Sequence, residues 1–296
     1  MHDDQMDVTA DIVAALVREQ FPRWSGKAIQ LLSSTGTVHA IFRIGDDLSA
    51  RFPLRSADAS KTLAVLEREA RASAELAQVS RFPVPEPVAL GRPGAGYPMP
   101  WSVQTWLPGT VALDADPSGS DAFARDLAAF IASLRDAGTR GRLFSGENRG
   151  GVLAHHDDWM AKCFEESEGL LDVPRLRQVW SDLRELPRTA PDVMSHGDLI
   201  PGNVLVTEDR LGGVLDTGGF GPADPALDLV SAWHLLQPGP REVLRRTLAC
   251  DDLEWERGKA WAFEQAMGLV WYYIESNPTM SRTGRRTLDR ILESTD

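Results

Sequence analysis

Cysteine is scarce in this chain: 296 residues hold two, Cys163 and Cys250, far apart and without metal-type spacing. That argues against a disulfide framework and makes a reducing, cytoplasmic setting the expectation. Long hydrophobic runs are missing as well. None approaches the roughly 20 residues of a membrane span, and the start, Met1-His2-Asp3-Asp4, lacks the basic and apolar regions of a signal peptide. No membrane partner is expected. Positive charge is in deficit, 31 Lys and Arg against 43 Asp and Glu, for a formal net charge of −12. Nucleic acid demands a basic surface, so it is argued against. The acidic balance accommodates a cationic partner, although it also serves plain solubility. Internal repeats and low-complexity stretches are absent. What is present is ordinary for a soluble globular chain, 43% hydrophobic and 25% charged, and long enough for one large domain or two medium ones. A monomer or a homodimer is expected.

The informative stretch is His196-Gly197-Asp198-Leu199-Ile200-Pro201-Gly202-Asn203, followed by Asp216-Thr217-Gly218. Between them, Val204 to Thr207 and Leu211 to Leu215 read as two short apolar strands, with Glu208-Asp209-Arg210 as the turn. The segment ending at Asn203 and the one opening at Asp216 therefore emerge at the same end of one hairpin. An Asp, an Asn and a second Asp there form the set that metal-assisted phosphoryl transfer needs: a carboxylate to accept a proton, and an amide and a carboxylate to hold magnesium. Taken singly, Asp198 also reads as a turn Asp whose side chain caps backbone amides. The company of Asn203 and Asp216 at this spacing argues against that.

The chain here resembles the aminoglycoside phosphotransferase family. A second signature follows at Gly221-Pro222-Ala223-Asp224-Pro225-Ala226-Leu227-Asp228-Leu229, and the resemblance runs from about Lys27 to the C-terminus. It implies an α+β, two-lobed, protein-kinase-like fold: a small N-terminal antiparallel-sheet lobe (residues 1–107) that binds nucleotide, and a larger, mostly helical lobe (residues 108–296) for catalysis and the acceptor. It implies that Asp198 accepts or orients the proton of the acceptor hydroxyl, and that Asn203 and Asp216 hold Mg²⁺ against the phosphates in the cleft between the lobes. His196 is then expected to tie the catalytic loop to a neighbour, and Asp228 to support the loop. Asp224 reads as an N-cap with Pro225 at the first helical position. Gly197 stands where protein kinases place an arginine that reads a phosphorylated activation loop, so no switch of that type is implied.

The rest of the chain can be laid against this pattern. Asp7 to Glu19 suits an amphipathic opening helix. Ala28 to Leu32, Val38 to Ile44 and Leu48 to Phe52 read as strands, Asp58 to Val79 as a long helix, and Met99 to Leu107 as a final strand. Asp116-Pro117 supplies an N-cap and first-turn proline for a helix through Ala137. Gly138 to Gly151 reads as a glycine-rich loop. Asp251 and Glu254 form a capping box for a helix reaching about Glu275.

On the nucleotide side, Ser34-Thr35-Gly36 lies between the first two strands. A kinase carries its phosphate-covering loop there, and small residues let backbone amides approach phosphate oxygens. By itself a glycine between strands is also just a hairpin turn. Arg51 stands where the family has Lys, a departure that keeps the charge and can fork onto two phosphate oxygens. Its carboxylate partner is expected to be Glu69, with Glu67 next, against a reading of both as solvated helix charges. Gln104 and Trp106 align with the segment that binds adenine through main-chain groups, and Trp106 reads equally as core at the lobe junction. ATP is the default nucleotide, with GTP as the alternative.

On the acceptor side, Asp157, Asp158 and Glu165 lie on an acidic helix, where they either attract a cationic small molecule or face solvent. Glu264, Trp271 and Glu275, with Tyr272 and Tyr273, lie on the late helix, where aromatics cover an acceptor or pack the core. His155-His156-Asp157-Asp158 makes a poor metal site, since adjacent helix residues point apart. The expected activity is Mg-dependent transfer of the ATP γ-phosphoryl to a hydroxyl of an aminoglycoside-like antibiotic. A macrolide or a metabolite such as a sugar or amino alcohol is the alternative acceptor. A nucleotide-binding pseudokinase module is the alternative of another class.

Overall fold

The structure is a computed structural model, and its described residues are 6–32 and 39–294. The chain divides into two compact units, Met1–Gln78 with Pro83–Pro108, and Val79–Phe82 with Gly109–Asp296. The Ser34-Thr35-Gly36 segment lies outside the described residues.

The first unit opens with α1 (Ala10–Gln20), capped by Thr9, whose hydroxyl accepts from the Ile12 N–H. Val13, Leu16 and Val17 recur at helical spacing and are buried. Three strands follow, β1 (Ile29–Leu32), β2 (His39–Ile44) and β3 (Leu48–Pro53), then the long helix α2 (Ala59–Val79), then β4 (Pro87–Gly91) and β5 (Trp101–Thr105). They form one antiparallel sheet in the order β1-β2-β3-β5-β4. Phe42, Ile44, Leu48, Ala50, Phe52, Trp101 and Val103 turn one face of this sheet onto α1 as a single core. Phe52 stacks on Trp101 with centroids 4.8 Å apart. A Cβ on Gly91 would meet Trp101 at 2.0 Å, so only glycine lets the indole lie against β4. The strand β4 escapes the sequence reading because prolines flank and open it. Those prolines are tolerated because β4 is an edge strand.

The second unit begins with β6 (Thr110–Val111), α3 (Ala112–Ala115) and α4 (Asp121–Asp136). The expected helix start at Asp116-Pro117 is displaced. Asp116 adopts a left-handed φ of 44° that ends α3, and Ser120 caps α4 by accepting from the Phe123 N–H at 3.1 Å. Phe123, Leu127, Phe130, Ile131 and Leu134 bury one stripe of α4. Helices α5 (Asp157–Glu166) and α6 (Val173–Leu183) lead to the strands β7 (Val193–Ser195), β8 (Val204–Thr207), β9 (Arg210–Val214) and β10 (Gly221–Ala223).

The β8–β9 hairpin closes through Glu208 and Asp209, both left-handed at φ 48° and 58°. Two successive left-handed residues give the twist that a two-residue hairpin loop needs. Arg210, expected in the turn, instead opens β9 opposite Thr207, where its guanidinium grips Asp126 of α4 at 2.5 and 2.6 Å. The helices α7 (Val230–Leu235), α8 (Pro238–Leu248), α9 (Asp252–Tyr272) and α10 (Pro278–Glu293) complete the unit. Asp251 caps α9 by accepting from the Glu254 N–H at 2.8 Å, and the helix stops at Tyr272, short of Glu275. It is buried on nearly every side, polar Gln265 and Glu264 included. Among the described residues no helix is long and apolar enough to cross a membrane.

Candidate active site

The segment between β7 and β8 carries Asp198, and a set of backbone bonds shapes it. Ile200 N–H donates to the Asp198 carbonyl at 3.0 Å and Asn203 N–H to the Ile200 carbonyl at 2.9 Å. The Leu215 N–H donates to the Asn203 carbonyl at 2.7 Å, which fastens the end of this loop to the end of β9. Asp216 follows directly, in the left-handed region at φ 58°. A left-handed Asp is uncommon and costs conformational energy unless its surroundings hold it. Here the hairpin on one side and the Thr217–Gly219 turn on the other fix it.

Asp228 holds the loop from beneath. It is 2% exposed and accepts from the Ser195 hydroxyl at 2.8 Å, the His196 N–H at 2.9 Å and the Gly197 N–H at 2.9 Å. Three donors on one buried carboxylate satisfy its charge without a cation. His196 is buried too. Its Nδ1 accepts from the Asp198 N–H at 3.3 Å, so its Nε2–H donates to the Leu215 carbonyl at 2.9 Å. Both residues thus tie the segment bearing Asp198 to the hairpin and to the turn before α7.

The Asp198 carboxylate makes three side-chain contacts. The Asn203 amide donates to Oδ2 at 2.9 Å and to the Asp198 carbonyl at 3.0 Å. Arg149 donates to Oδ1 at 2.9 Å, and the Gln265 amide donates to the same oxygen at 2.6 Å. The Asn203 Nδ2 is committed to Asp198, so its Oδ1 faces away. A carboxamide oxygen and the Asp216 carboxylate are hard donors of the kind Mg²⁺ takes, with waters and phosphate oxygens as its other ligands. The residues present fit the metal. Among the described residues no group of three or more His, Cys, Asp or Glu is placed to hold a metal.

A family model, the phosphotransferase enzyme family, matches residues 29–261. The chain belongs to this family. An aminoglycoside 3'-phosphotransferase of Escherichia coli is 28% identical over 143 residues, 46% of this chain and 52% of that protein, so the chain spans about half the length of this curated relative. The GDP complex of wild-type aminoglycoside 2'-phosphotransferase-IIIa superposes with a TM-score of 0.69 at 16% identity, covering 97% of this chain and 100% of that one. The apoenzyme of macrolide 2'-phosphotransferase MphH from Brachybacterium faecium gives 0.61 at 20% identity, covering 95% and 97%. The fold is the kinase-like one of these phosphotransferases, an antiparallel-sheet N-terminal part and a helical C-terminal part.

The other expected residues fall in several places. Arg51 is half-buried on β3, facing Ile41 on one neighbouring strand and Ser102 on the other. Leu48, Ala50 and Phe52 of the same strand face the core, and strand alternation sends Arg51 to the opposite face. On α2 Glu69 is half-buried and Glu67 exposed. Gln104 is half-buried in β5, opposite Ser49. The Trp106 N–H is taken by the Asp47 carbonyl at 2.8 Å. Its ring is not packed into the core; it lies under the Arg43 guanidinium at 5.1 Å.

The acidic residues of the acceptor side separate. Asp157 takes both guanidinium arms of Arg184 and the Trp180 indole N–H. The Arg184 hydrogen bond, with a smaller contribution from Trp180, holds its carboxyl below the ordinary carboxylate range. Asp158, Glu165 and Glu275 are exposed. Glu264 is 3% exposed, with Oε1 against His156 Nδ1 at 2.9 Å and Oε2 4.0 Å from Arg149. Trp271 packs on Trp159 at 5.8 Å and lies beside Lys162.

Two residues on Asp198 lie beyond what the sequence reading finds. Gln265 is hidden in a helix whose apolar neighbours dominate its pattern. Arg149 sits in the stretch read only as a loop, yet the sequence holds a signal: Gly150 and Gly151 follow it. A Cβ on Gly150 would come within 2.8 Å of Ala223 Cβ, and its φ is +112°. The Gly150 carbonyl accepts from the Asp224 N–H at 2.9 Å. Glycine lets the loop press onto β10, and that close approach delivers Arg149 to the carboxylate.

Proposed function

We propose that this phosphotransferase transfers the γ-phosphoryl group of ATP, with Mg²⁺, to a hydroxyl of a small molecule of the aminoglycoside type. The observation that carries this is the placement of Asp198. Its Oδ1 is occupied by Arg149 and Gln265, while Oδ2 takes a single donor from Asn203. Oδ2 is therefore the atom left to receive the acceptor proton. Asn203 Oδ1 and Asp216 would hold Mg²⁺, which supplies neutralisation of charge on the transferring phosphates. The transition state for such transfer is loose, so orientation and charge compensation supply most of the rate and the base need not be strong.

The chain's own residues supply the orientation. Asp228 and His196 fix the backbone that presents Asp198, and the bond from the Leu215 N–H to the Asn203 carbonyl fastens the Asn203 backbone to the residue before Asp216. Arg51 is read as the cation for the nucleotide phosphates and Glu69 as its partner, with Gln104 and the main chain around Trp106 on the base. The GDP bound by the aminoglycoside 2'-phosphotransferase keeps GTP as an alternative donor. Relatives named for aminoglycosides and for macrolides support an antibiotic acceptor of either class. Asp158, Glu165 and Glu275, exposed and acidic, favour the cationic one.

The test is a panel. The purified protein with Mg²⁺ and ATP, then GTP, is incubated with aminoglycosides, macrolides, sugars and amino alcohols, and phosphorylated product is read by mass spectrometry. The proposal expects one aminoglycoside class to gain a single phosphoryl group. Phosphorylation of macrolides alone transfers the reading to that acceptor, and no product anywhere, with no slow ATP hydrolysis, rejects the kinase.

A further inference from the structure

The Gln265 contact continues away from Asp198 into the core. On its far side, Gln265 Oε1 lies 3.1 Å from His234 Nε2, and His234 Nδ1 lies 2.9 Å from the Thr287 hydroxyl of α10. Gln265 is 6% exposed, and His234 and Thr287 are fully buried. These four residues form an unbroken polar chain from Asp198 through α9 and α7 to α10.

The direction of every bond in it follows from one end. An ionised carboxylate only accepts, so Gln265 must turn its NH₂ to Asp198 and its carbonyl to His234. A carbonyl also only accepts, so His234 must carry its proton on Nε2. Its Nδ1 is then a bare acceptor, and Thr287 must donate its single proton there. The Thr283 carbonyl, also 2.9 Å from that hydroxyl, is a helix carbonyl that does not depend on it. A charged imidazole would break the pattern by putting an N–H against the hydroxyl. Burial, with Arg149, Arg290 and Arg286 nearby, pushes the His234 pKa down to about 3 and keeps the ring neutral.

We propose that Gln265 is a positioning residue for phosphoryl transfer, held in one orientation by His234 and Thr287 so that its amide pins Asp198 Oδ1 and leaves Oδ2 to the acceptor. This rests on the reading of Asp198 as the proton acceptor. Arg149 holds the same oxygen from the opposite chain segment, but it comes from a surface loop. Gln265 comes from the buried centre of the unit, so it sets the angle of the carboxylate. Misplacement of a catalytic group by about 1 Å costs on the order of 100-fold in rate.

The experiment compares the wild type with Gln265→Met, which keeps the volume and removes the donor, and with Thr287→Val, which removes the far end of the chain. Gln265→Met is expected to lower kcat by about 10- to 100-fold while KM for nucleotide and acceptor stays within about threefold. Thr287→Val is expected to lower kcat by about three- to tenfold, again without a change in KM. Nitrogen-15 NMR of His234 is expected to show the neutral Nε2–H form in the wild type and a mixture of tautomers in Gln265→Met. An active wild type with unchanged kcat in both variants overturns the proposal, as does a His234 proton on Nδ1. If Gln265→Met fails to fold, Thr287→Val and the wild-type tautomer decide. An inactive wild type defeats the kinase reading instead, and the tautomer alone then decides whether the chain runs in the stated direction.

Discussion

Asp198 has two carboxylate oxygens that its neighbours treat differently: two donors fall on Oδ1 and one on Oδ2. The same chain of bonds has a consequence for stability. His234 keeps a pKa of about 3 because it is buried, whereas an unfolded histidine titrates near 6.5. Below pH 6.5 the unfolded chain therefore binds a proton that the folded chain refuses, and stability present above that pH is lost as pH falls toward 3. The slope is up to about 1.4 kcal/mol per pH unit from this one group. Thermal unfolding of the wild type is expected to drop steeply between pH 6.5 and 4, and His234→Asn to show a shallower dependence over that window. Parallel curves would show that His234 is not buried in its neutral form.

At the scale of elements, the site depends on how α9, β10 and the Gly138–Gly151 loop meet. Asp224 joins all three. Its carboxylate accepts from Arg257 Nε at 2.9 Å and from the Trp261 indole at 3.1 Å, both on α9, and its N–H reaches the Gly150 carbonyl. Arg257 also reaches the Gly151 carbonyl at 3.0 Å. By sequence Asp224 reads as an N-cap with Pro225 opening the helix, but the helical turn starts at Leu227 with Ala226 at the cap position. Asp224 accepts from the Ala226 N–H at 3.0 Å in a turn ahead of it. Its larger part is a buried ion pair with Arg257, both residues being under 5% exposed. Asp224→Ala leaves that guanidinium uncompensated and is expected to cost about 3–5 kcal/mol, read from the urea midpoint. A loss under about 1 kcal/mol would show that the pair is not what joins these elements.

Gly150→Ala tests the loop itself. The added Cβ meets Ala223 at 2.8 Å in a backbone conformation that alanine resists. Its expected signature is a fall in kcat by about 10-fold or more as Arg149 withdraws, with nucleotide affinity intact. Unchanged kcat would mean that the loop's approach does not serve Asp198.

These particulars show what the chain discloses as a string. The β8–β9 hairpin is legible because two short apolar runs flank a polar turn, and with it the backbone bond between Leu215 and Asn203 that joins its two ends. Asp228 is legible through its motif. Arg149, Gln265 and His234 are not, because what makes them matter is contact across separations of 49, 67 and 31 residues. Local pattern records a residue's own helix or loop and carries no trace of what lies opposite. The start of α4 is ambiguous in the sequence for a related reason. Asp116-Pro117 and Ser120 both look like helix starts, and it is the left-handed Asp116 ending α3 that decides between them.

At the scale of the whole molecule, family membership over residues 29–261 and the kinase-like fold frame the chemistry without naming the acceptor. The net charge of −12 is the excess of carboxylates over cations, so ion pairs such as Asp157–Arg184, Asp126–Arg210 and the buried Asp224–Arg257 leave it unchanged. Exposed carboxylates such as Asp158, Glu165 and Glu275 are what a cationic acceptor would meet, and relatives named for both aminoglycosides and macrolides fit one scaffold. What unites every acceptor is the proton that must leave its hydroxyl. The direct measurement is therefore single-turnover phosphoryl transfer from Mg²⁺-ATP to the acceptor found by the panel, wild type against Asp198→Asn, with ATP binding followed by calorimetry in both. The variant is expected to bind ATP within about threefold of the wild type and to lose about 1,000-fold or more in transfer rate. Transfer at near wild-type rate would contradict this, since Asp198 would then not be the group that takes the proton.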